Sequence, residues 1–302
     1  MKPRRSLPAK TRVFDFFRSV FKIGFLERLL LAVVRGAPYG STLTKLIPNP
    51  HQYAPRTFRR VERDGIKWEL DISCMMQWPM YWGLTEDARD RLYSLIHRGD
   101  TVFDVGANIG ETTLHFARLV GPGGQVYSFE PDPYNYERTR SNISLNDFSN
   151  ITLVQVGIAE EEKEVRLFRV DQHNLGMNRI LPEESNPGFD SALIRCRTLD
   201  SVVQDEDVSH VSLIKMDIEG YEMNALRGAR GTLEGFRPAL FIEVGDSKLR
   251  ENGSSAAELI RFLLVMGYRV FLAPNDQEID DTFAFPTDEG VCIDVFAQIG
   301  SS

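Results

Sequence analysis

Residues 101–110 of the sequence read TVFDVGANIG, and this segment decides the fold. The apolar run at its start predicts a buried strand, and a helix is predicted to follow near residues 110–120. Gly106 and Gly110 allow the backbone to bend sharply between the two elements and to approach a ligand closely. In open α/β sheets, ligands bind beside such turns, at the carboxyl ends of the strands. The segment therefore predicts a binding site at a strand-to-helix junction.

The rest of the chain alternates between predicted strands and helices, which indicates parallel βαβ units in a doubly wound, Rossmann-like α/β sheet. A β-rich insertion interrupts the alternation, with strands near residues 164–170 and 192–198. The other strands are predicted at residues 125–129, 151–156, 211–216, 239–244, 268–272 and 291–298, and the other helices near residues 86–98, 133–146, 220–234 and 255–266.

The charge of the chain is distributed unevenly. The 302 residues carry a net charge of −8, yet residues 1–35 contain nine Lys/Arg and two Asp/Glu, a net charge of +7. An acidic body does not favour nucleic acid as a partner, whereas a basic segment can bind an anionic surface or dock on the body. Three cysteines without paired spacing indicate ordinary thiols in a reducing compartment and no structural metal site. We therefore expect a cytoplasmic protein.

The N-terminal segment has the pattern of an amphipathic helix. Apolar residues recur at helical spacing over residues 13–34 and predict one or two helices that end near Gly36. Packing of these helices on the body of the protein is the favoured interpretation, and peripheral membrane contact through residues 1–35 is the alternative. No segment is long and apolar enough to span a bilayer.

Two further features complete an N-terminal extension over residues 1–82. Residues 38–57 are rich in proline and predict an irregular crossing. Residues 58–72 alternate between apolar and polar side chains and predict a hairpin with its turn at Asp64-Gly65. Residues 83–302 then form the main domain.

Two details argue against a dinucleotide at the glycine-rich turn. Asp104 lies inside the motif, where its carboxylate would repel a pyrophosphate but could hold the ammonium of a zwitterionic amino acid. The spacing from Gly106 to Gly110 also differs from the GxGxxG fingerprint. Glu130, twenty residues beyond Gly110, ends the next strand, where a carboxylate can accept both hydroxyls of a ribose. A surface acid is the alternative for Glu130, but its spacing from the turn favours ribose binding.

Two acids, Asp217 and Glu219, follow the strand predicted at residues 211–216. Acids at such a strand end can position a nucleophile or accept its proton, or they can join Glu243 as metal ligands. A simple position at a helix N-terminus is the alternative, and for Glu222 it is at least an equally good account.

His173 is a candidate base in the β-rich insertion. An imidazole titrates near working pH, so a histidine close to the cleft can deprotonate a hydroxyl. An exposed loop residue is nevertheless the preferred interpretation of His173, and His115 and His210 are interpreted as packed or structural side chains.

Several short motifs together resemble those of the FkbM family of methyltransferases. The resemblance extends over residues 83–298 and implies a seven-stranded class I methyltransferase sheet whose last strand is antiparallel. It also implies S-adenosylmethionine as the cofactor and methylation of a hydroxyl on a glycan or secondary metabolite. The motifs are VFDVGANIG at residues 102–110, SFEP at 128–131, NISLN at 142–146, TLD at 198–200 and KMDIEGYE at 215–222, with Pro238 and Glu243 at family positions.

The resemblance also implies roles for individual residues. Asp217 and Glu219 would face the methyl-transfer centre, and no metal is expected. Residues on the methionine side of the cofactor would be Asp104, Gly106, Asn108 and Gly110, the ribose residue would be Glu130, and the residues beside adenine would run from Gln155 to Gly157.

The predicted function is therefore O-methylation of a small-molecule or glycan acceptor by an S-adenosylmethionine-dependent enzyme. A non-catalytic glycan- or partner-binding module on the same fold is the alternative. The glycine-rich turn and Glu130 favour the enzyme, because a module without cofactor would be free to lose them. An NAD-dependent oxidoreductase is a third interpretation.

Overall fold

The computed structural model describes residues 15–84, 89–170, 175–181 and 188–300. The chain forms two compact units, Met1–Asp87 and Ala88–Ser302. The division between them lies five residues after the expected boundary between extension and main domain. Within the described residues, no helix is both long and apolar enough to cross a bilayer.

The first unit is built around the hairpin that the sequence predicted. Its strands pair antiparallel, and the turn residues Asp64 and Gly65 both have positive φ, 50° and 73°, as a tight two-residue hairpin turn requires. Trp68 and Leu70 are buried on one face of the hairpin. The elements of the unit are α1 (Gly24–Val34), β1 (Phe58–Arg63), β2 (Ile66–Asp71) and α2 (Gln77–Trp82), and short helical turns over residues 15–22 precede α1.

The second unit contains two sheets and the helices that cover them. Its strands are β3 (Thr101–Val105), β4 (Gln125–Phe129), β5 (Ile151–Val154), β6 (Gly157–Ile158), β7 (Lys163–Arg169), β8 (Arg179–Ile180), β9 (Asp190–Arg197), β10 (Leu213–Met216), β11 (Ala239–Val244), β12 (Tyr268–Leu272), β13 (Glu278–Ile279) and β14 (Ile293–Ile299). Its helices are α3 (Asp90–Ser94), α4 (Glu111–Val120), α5 (Pro133–Ser144), α6 (Leu199–Asp205), α7 (Glu222–Arg227), α8 (Arg230–Phe236), α9 (Asp246–Glu251) and α10 (Ala256–Val265).

The large sheet has the spatial order β13-β12-β14-β11-β10-β3-β4-β5. β14 pairs antiparallel with both β11 and β12, as the resemblance implied for the last strand. The sheet has eight strands rather than seven, because the chain turns back directly after β12. The N–H of Leu272 donates to the carbonyl of Gln277, and the two-residue strand β13 then pairs with β12. The difference from the expected sheet is thus one short strand at its edge.

The switch point of this sheet lies at β3, which pairs in parallel with β10 on one side and β4 on the other. All four residues of β10 are buried, because helices cover both faces of the central strands. The carboxyl ends of β3, β4 and β10 meet at the edge where ligands bind in such folds. The turn after β3 therefore lies where the sequence predicted a site.

Two predicted helices differ from the observed ones. The helix predicted near residues 220–234 is two helices, α7 and α8, with Gly228 between them. A Cβ on Gly228 would lie 2.0 Å from the carbonyl oxygen of Ala159, so the break lets two backbone segments touch. Of the helix predicted near residues 86–98, the described residues form only the five of α3, and residues 85–88 lie outside the described part.

The insertion forms the second sheet, with the order β6-β9-β7-β8. Its two long strands, β7 and β9, pair antiparallel and confirm the strands predicted near residues 164–170 and 192–198. β6 follows β5 after two residues, so this sheet begins beside the carboxyl edge of the large one.

Candidate active site

A cleft of about 660 Å³ opens at the carboxyl ends of β3, β4 and β10, and side chains of the insertion sheet form part of its wall. The predicted site residues that line it are Gly106, Asn108, Glu130, Gly157, Asp217 and Glu219. Asp104, Gly110 and Gln155 are described but do not belong to its lining, and His173 lies outside the described residues.

The glycine-rich turn is shaped by contacts within the protein. Gly106 has φ +88°, and a Cβ there would lie 2.0 Å from the carbonyl oxygen of Asp217. Gly110 has φ +87°, and its Cβ would approach the Thr139 side chain at 2.9 Å. The first glycine thus lets the turn after β3 touch the turn after β10, and the second packs α4 close to α5. The sequence had attributed both glycines to the approach of a ligand.

Asp104 lies behind the cleft rather than in it. The side chain is fully buried, and its Oδ2 accepts hydrogen bonds from the hydroxyls of Thr112 and Thr113, both at 2.7 Å. Its Oδ1 lies 3.3 Å from Nζ of Lys215. Asp104 fixes the first turn of α4 and the ammonium of Lys215, and it does not belong to the lining of the cleft. Its contact with the cofactor ammonium, directly or through water, stays a prediction.

Lys215 is a functional residue that the sequence analysis passed over. Its Nζ donates to the carbonyl of Gly106 at 2.8 Å and lies 3.8 Å from Oδ2 of Asp217. Burial lowers the pKa of Lys215, but Asp104 and Asp217 outweigh burial and hold it above its ordinary value. The lysine therefore stays charged and ties the two turns together. The sequence did contain a sign of this role, because Lys215 is a charged residue inside the otherwise apolar strand β10.

Glu130 ends β4 with its carboxylate held at both oxygens. Oε1 accepts the N–H of Asp132 at 2.9 Å, and Oε2 accepts the N–H of Asn108 at 2.7 Å. Burial raises the pKa of Glu130 to about 8, although these two N–H groups oppose the shift. Each oxygen keeps a further lone pair, so the carboxylate can still accept hydrogen bonds from a ligand in the cleft.

Two residues near the end of β5 differ in position. Gly157 lines the cleft, and a Cβ there would lie 2.8 Å from Sγ of Cys196. Gln155 is exposed and lies away from the lining. Of the residues from Gln155 to Gly157 that the resemblance placed beside adenine, Val156 and Gly157 line the cleft.

The turn after β10 carries the two predicted acids on a constrained backbone. Glu219 has φ +58°, which is uncommon for a residue other than glycine and concentrates at functional sites. Glu222 stabilises the turn, because its Oε1 accepts hydrogen bonds from the N–H groups of Ile218 and Gly220, each at 3.1 Å. A Cβ on Gly220 would lie 2.5 Å from the carbonyl oxygen of Lys248. Glu222 is therefore a structural residue of this turn.

The carboxylate of Glu219 is paired with a lysine that the sequence did not reveal. Nζ of Lys248 lies 2.5 Å from Oε2 of Glu219 and 3.2 Å from Oε2 of Glu243, the residue before the last of β11. Burial raises the pKa of Glu219 to about 7, although Lys248 opposes the shift. The side chain of Asp217 is 43% exposed and lines the same cleft. A carboxylate with a pKa near 7 is suited to accept a proton at neutral pH.

The same acids also satisfy the geometry of a metal site. Asp217, Glu219 and Glu243 each offer an oxygen within 4.8 Å of the others. However, the ammonium of Lys248 already contacts two of the three carboxylates and supplies the positive charge that a cation would bring. The arrangement is accounted for by this ammonium without a metal ion.

Asn178 is a second residue that sequence analysis missed. It lines the cleft from the insertion, and both Oδ1 and Nδ2 are buried without a hydrogen-bond partner among the residues that the structure describes. A buried amide without partners is costly, and such groups in native proteins often await a ligand or water. The cleft thus contains the backbone of the glycine-rich turn, the carboxylate at the end of β4 and the amide of Asn178. Together these groups offer hydrogen-bond donors and acceptors that fit a ligand with an adenosine part and an amino-acid part.

Comparison with known proteins identifies the family to which the chain belongs. The profile described as "Methyltransferase FkbM domain" matches residues 104–270, more than half of the chain. The 2-O-methyltransferase NoeI of Sinorhizobium fredii is 27% identical over 53% of this chain and 70% of its own length. The 31-O-demethyl-FK506 methyltransferase FkbM of Streptomyces tacrolimicus is 28% identical over 43% of this chain and 59% of its own. A crystal structure of methyltransferase FkbM from Methylobacillus flagellatus aligns with a TM-score of 0.42 and 19% identity, over 93% of this chain and 62% of that one.

The chain therefore spans only part of the length of each curated relative, 59% of one and 70% of the other. The family match nevertheless includes the glycine-rich turn after β3, the carboxylate that ends β4 and the acids that follow β10. The chain belongs to the FkbM family of S-adenosylmethionine-dependent methyltransferases.

Proposed function

We propose that this protein transfers a methyl group from S-adenosylmethionine to a hydroxyl oxygen of a glycan or a secondary metabolite. The observation that carries the proposal is the Glu219 carboxylate, which lines the cofactor cleft and has a pKa raised to about 7. Two relatives are named for methylation of oxygen, one a 2-O-methyltransferase and the other acting on 31-O-demethyl-FK506.

The residues present fit the cofactor. The backbone of Gly106 and Asn108 would border its amino-acid end, Glu130 would accept the ribose hydroxyls, and Gly157 with Asn178 would border adenine. Bound in this way, the cofactor supplies an electrophilic methyl group on a sulfonium. The protein itself then has to exclude water, orient the acceptor oxygen and remove its proton.

Glu219 is the residue that we assign to proton removal. Lys248 contacts its carboxylate at 2.5 Å and holds it in one orientation, while Asp217 lies exposed enough to accept a hydrogen bond from the acceptor. Because Lys248 also contacts Glu243, the negative charge of the two strand ends is partly balanced before any acceptor binds. His173 remains a candidate base from the sequence alone.

The proposal is tested by measuring release of S-adenosylhomocysteine with three classes of acceptor. We expect turnover with sugars and with polyketide-like alcohols, and none with matched amines or carboxylic acids. Turnover confined to amines or carboxylates would refute oxygen methylation of a hydroxyl. Tight binding of S-adenosylmethionine and of a glycan without any turnover would favour the non-catalytic module instead.

Glu130→Gln is expected to weaken S-adenosylmethionine binding by about tenfold to a hundredfold. The glutamine replaces one of the two acceptor oxygens with an NH2 donor, so that either the N–H of Asn108 or that of Asp132 loses its acceptor together with a ribose hydroxyl, an effect of about 1–3 kcal/mol. Isothermal titration calorimetry measures the affinity, and Glu137→Gln, an exposed acid on α5, is the matched control. Undiminished affinity in Glu130→Gln would remove this residue from the cofactor site.

Asn178→Ala is expected to weaken S-adenosylmethionine binding by roughly tenfold without lowering the stability of the ligand-free protein. The reason is that, within the described part of the chain, its amide has no hydrogen-bond partner to lose. Thermal denaturation with and without cofactor separates the two effects, and Met177→Ala, an exposed neighbour, is the control. A lower melting temperature without cofactor, combined with unchanged affinity, would make Asn178 a structural residue.

A further inference from the structure

The helical segments of the first unit carry exposed apolar side chains. On α1 the side chains of Phe25, Leu29 and Val33 are 71%, 62% and 54% exposed. They recur every four residues and therefore form one stripe along the helix. We call the following exposed residues the apolar face: Phe16, Phe17, Val20, Ile23, Phe25, Leu29 and Val33.

The opposite side of α1 is fixed by a buried polar contact. Glu27 is buried, and its Oε1 accepts hydrogen bonds from Nε of Arg59 at 2.9 Å and from the hydroxyl of Tyr81 at 2.6 Å. Leu30 and Val34 are buried on the same side. An ordinary surface helix turns its charges outward and a single apolar stripe inward, whereas α1 buries the charged Glu27 and exposes a second apolar stripe. Because these hydrogen bonds hold Glu27, α1 cannot rotate about its axis to bury its apolar stripe.

The segment before α1 follows the same inverted pattern. The carboxylate of Asp15 accepts a hydrogen bond from Nδ2 of Asn49 at 3.1 Å and lies 2.8 Å from Nε2 of His51. Phe16 and Phe17, the next two residues, are 73% and 63% exposed. Polar contacts thus tie this segment to the unit while its aromatic rings face outward.

The charges beside the apolar face are all positive. In residues 16–35, Glu27 is the one acidic residue and it is buried, whereas Lys22, Arg28 and Arg35 are exposed. This stretch also contains no Asn, Gln or Asp that could supply the directional hydrogen bonds typical of a protein interface. Bulky apolar side chains combined with cations match the surface of a bilayer that contains anionic lipids.

We infer that the apolar face binds an anionic membrane surface, with α1 lying in the interface and its phenylalanine and leucine side chains inserted among the lipid chains. The inference is independent of the proposed methylation chemistry, because every residue that carries it belongs to the first unit. Binding of this kind depends on both apolar insertion and charge, so it should weaken with loss of either.

The test is co-sedimentation of the full chain with vesicles of phosphatidylcholine alone or with about one third phosphatidylglycerol. We expect binding to the anionic vesicles, weakened by salt and reduced at least about tenfold in the triple variant Phe16→Ser, Phe25→Ser, Leu29→Ser. The matched control replaces three exposed apolar residues of the second unit, Phe189→Ser, Leu193→Ser and Val265→Ser, and should bind like the unmodified protein. Arg28→Glu should weaken binding to the anionic vesicles only.

Two results would overturn the inference. One is equal sedimentation of the unmodified protein and the triple variant, with cofactor-induced thermal stabilisation showing that both are folded. The other is an unmodified protein that forms dimers in solution and a triple variant that is monomeric, without any vesicle binding by either, since the apolar face would then be covered by a second copy of the chain.

Discussion

Replacement of Glu219 by glutamine is expected to lower kcat for methyl transfer by about 10²- to 10⁴-fold, the range usual for loss of a general base. The amide keeps the size of the side chain but cannot accept the acceptor's proton. Affinity for S-adenosylmethionine should change little, because the carboxylate that we assign to the ribose is Glu130 and the substitution leaves the glycine-rich turn intact. Initial rates of S-adenosylhomocysteine release give kcat, and calorimetry gives the affinity.

The pH dependence of the unmodified enzyme provides a second measurement of the same role. Burial raises the pKa of Glu219 to about 7, with Asp217 and Glu243 adding to the shift and Lys248 opposing it. The base acts only when ionised, so kcat should rise as pH increases through about 7 and level off above it. Lys248→Met removes the opposing cation, raises the pKa further and should move this rise to higher pH.

Glu243→Gln is the matched control for the kcat measurement, whereas in the pH profile it should move the rise to lower pH, because Glu243 helps to raise the pKa of Glu219. It removes an acid that contacts the same lysine but leaves the base in place, so its effect on kcat should be far smaller. A Glu219→Gln enzyme with the unmodified kcat would exclude this residue as the base. Equal losses in Glu219→Gln and Glu243→Gln would indicate a role for the acid pair as a whole, and a normal melting temperature in each variant excludes misfolding.

Much of the fold could be predicted because buried parallel strands and amphipathic helices have different apolar patterns. β3, β4, β11 and β12 were predicted with the residues at which they begin and end. The break in the helix near residues 220–234 was not predicted, since its cause is a contact between Gly228 and the distant Ala159. Likewise, β13 depends on a tight turn after β12 rather than on an apolar run of its own.

The candidate site was only partly predictable for a related reason. Glu130, Asp217 and Glu219 stand at strand ends, where position in the sequence nearly determines position in the fold. Lys248 contacts Glu219 from a helix, and Asn178 lines the cleft from the insertion. No local sequence pattern links either residue to the turn after β10. The exposed apolar face on α1 could not be predicted either. The helical spacing of apolar residues does not show which side of a helix is held against the rest of the unit.

Gly106→Ala is the substitution expected to damage the fold of the site most. Gly106 has φ +88°, and the added Cβ would lie 2.0 Å from the carbonyl oxygen of Asp217, a backbone atom that cannot move aside cheaply. Together, the left-handed backbone and the overlap should lower the free energy of unfolding by about 3 kcal/mol. For a unit of this size, the melting temperature should fall by roughly 6–12 °C.

Gly99→Ala separates the two causes. Gly99 has φ +89°, almost the same backbone conformation, but a Cβ there would meet no atom within 4 Å. Its cost is therefore that of the backbone alone, about 1–2 kcal/mol, and cofactor binding should be retained. Gly106→Ala should in addition weaken S-adenosylmethionine binding by at least about tenfold, because the turns after β3 and β10 would be pushed apart on both sides of the cleft. If both variants lose the same stability and keep the same affinity, the contact between these two turns is not what requires a glycine at position 106.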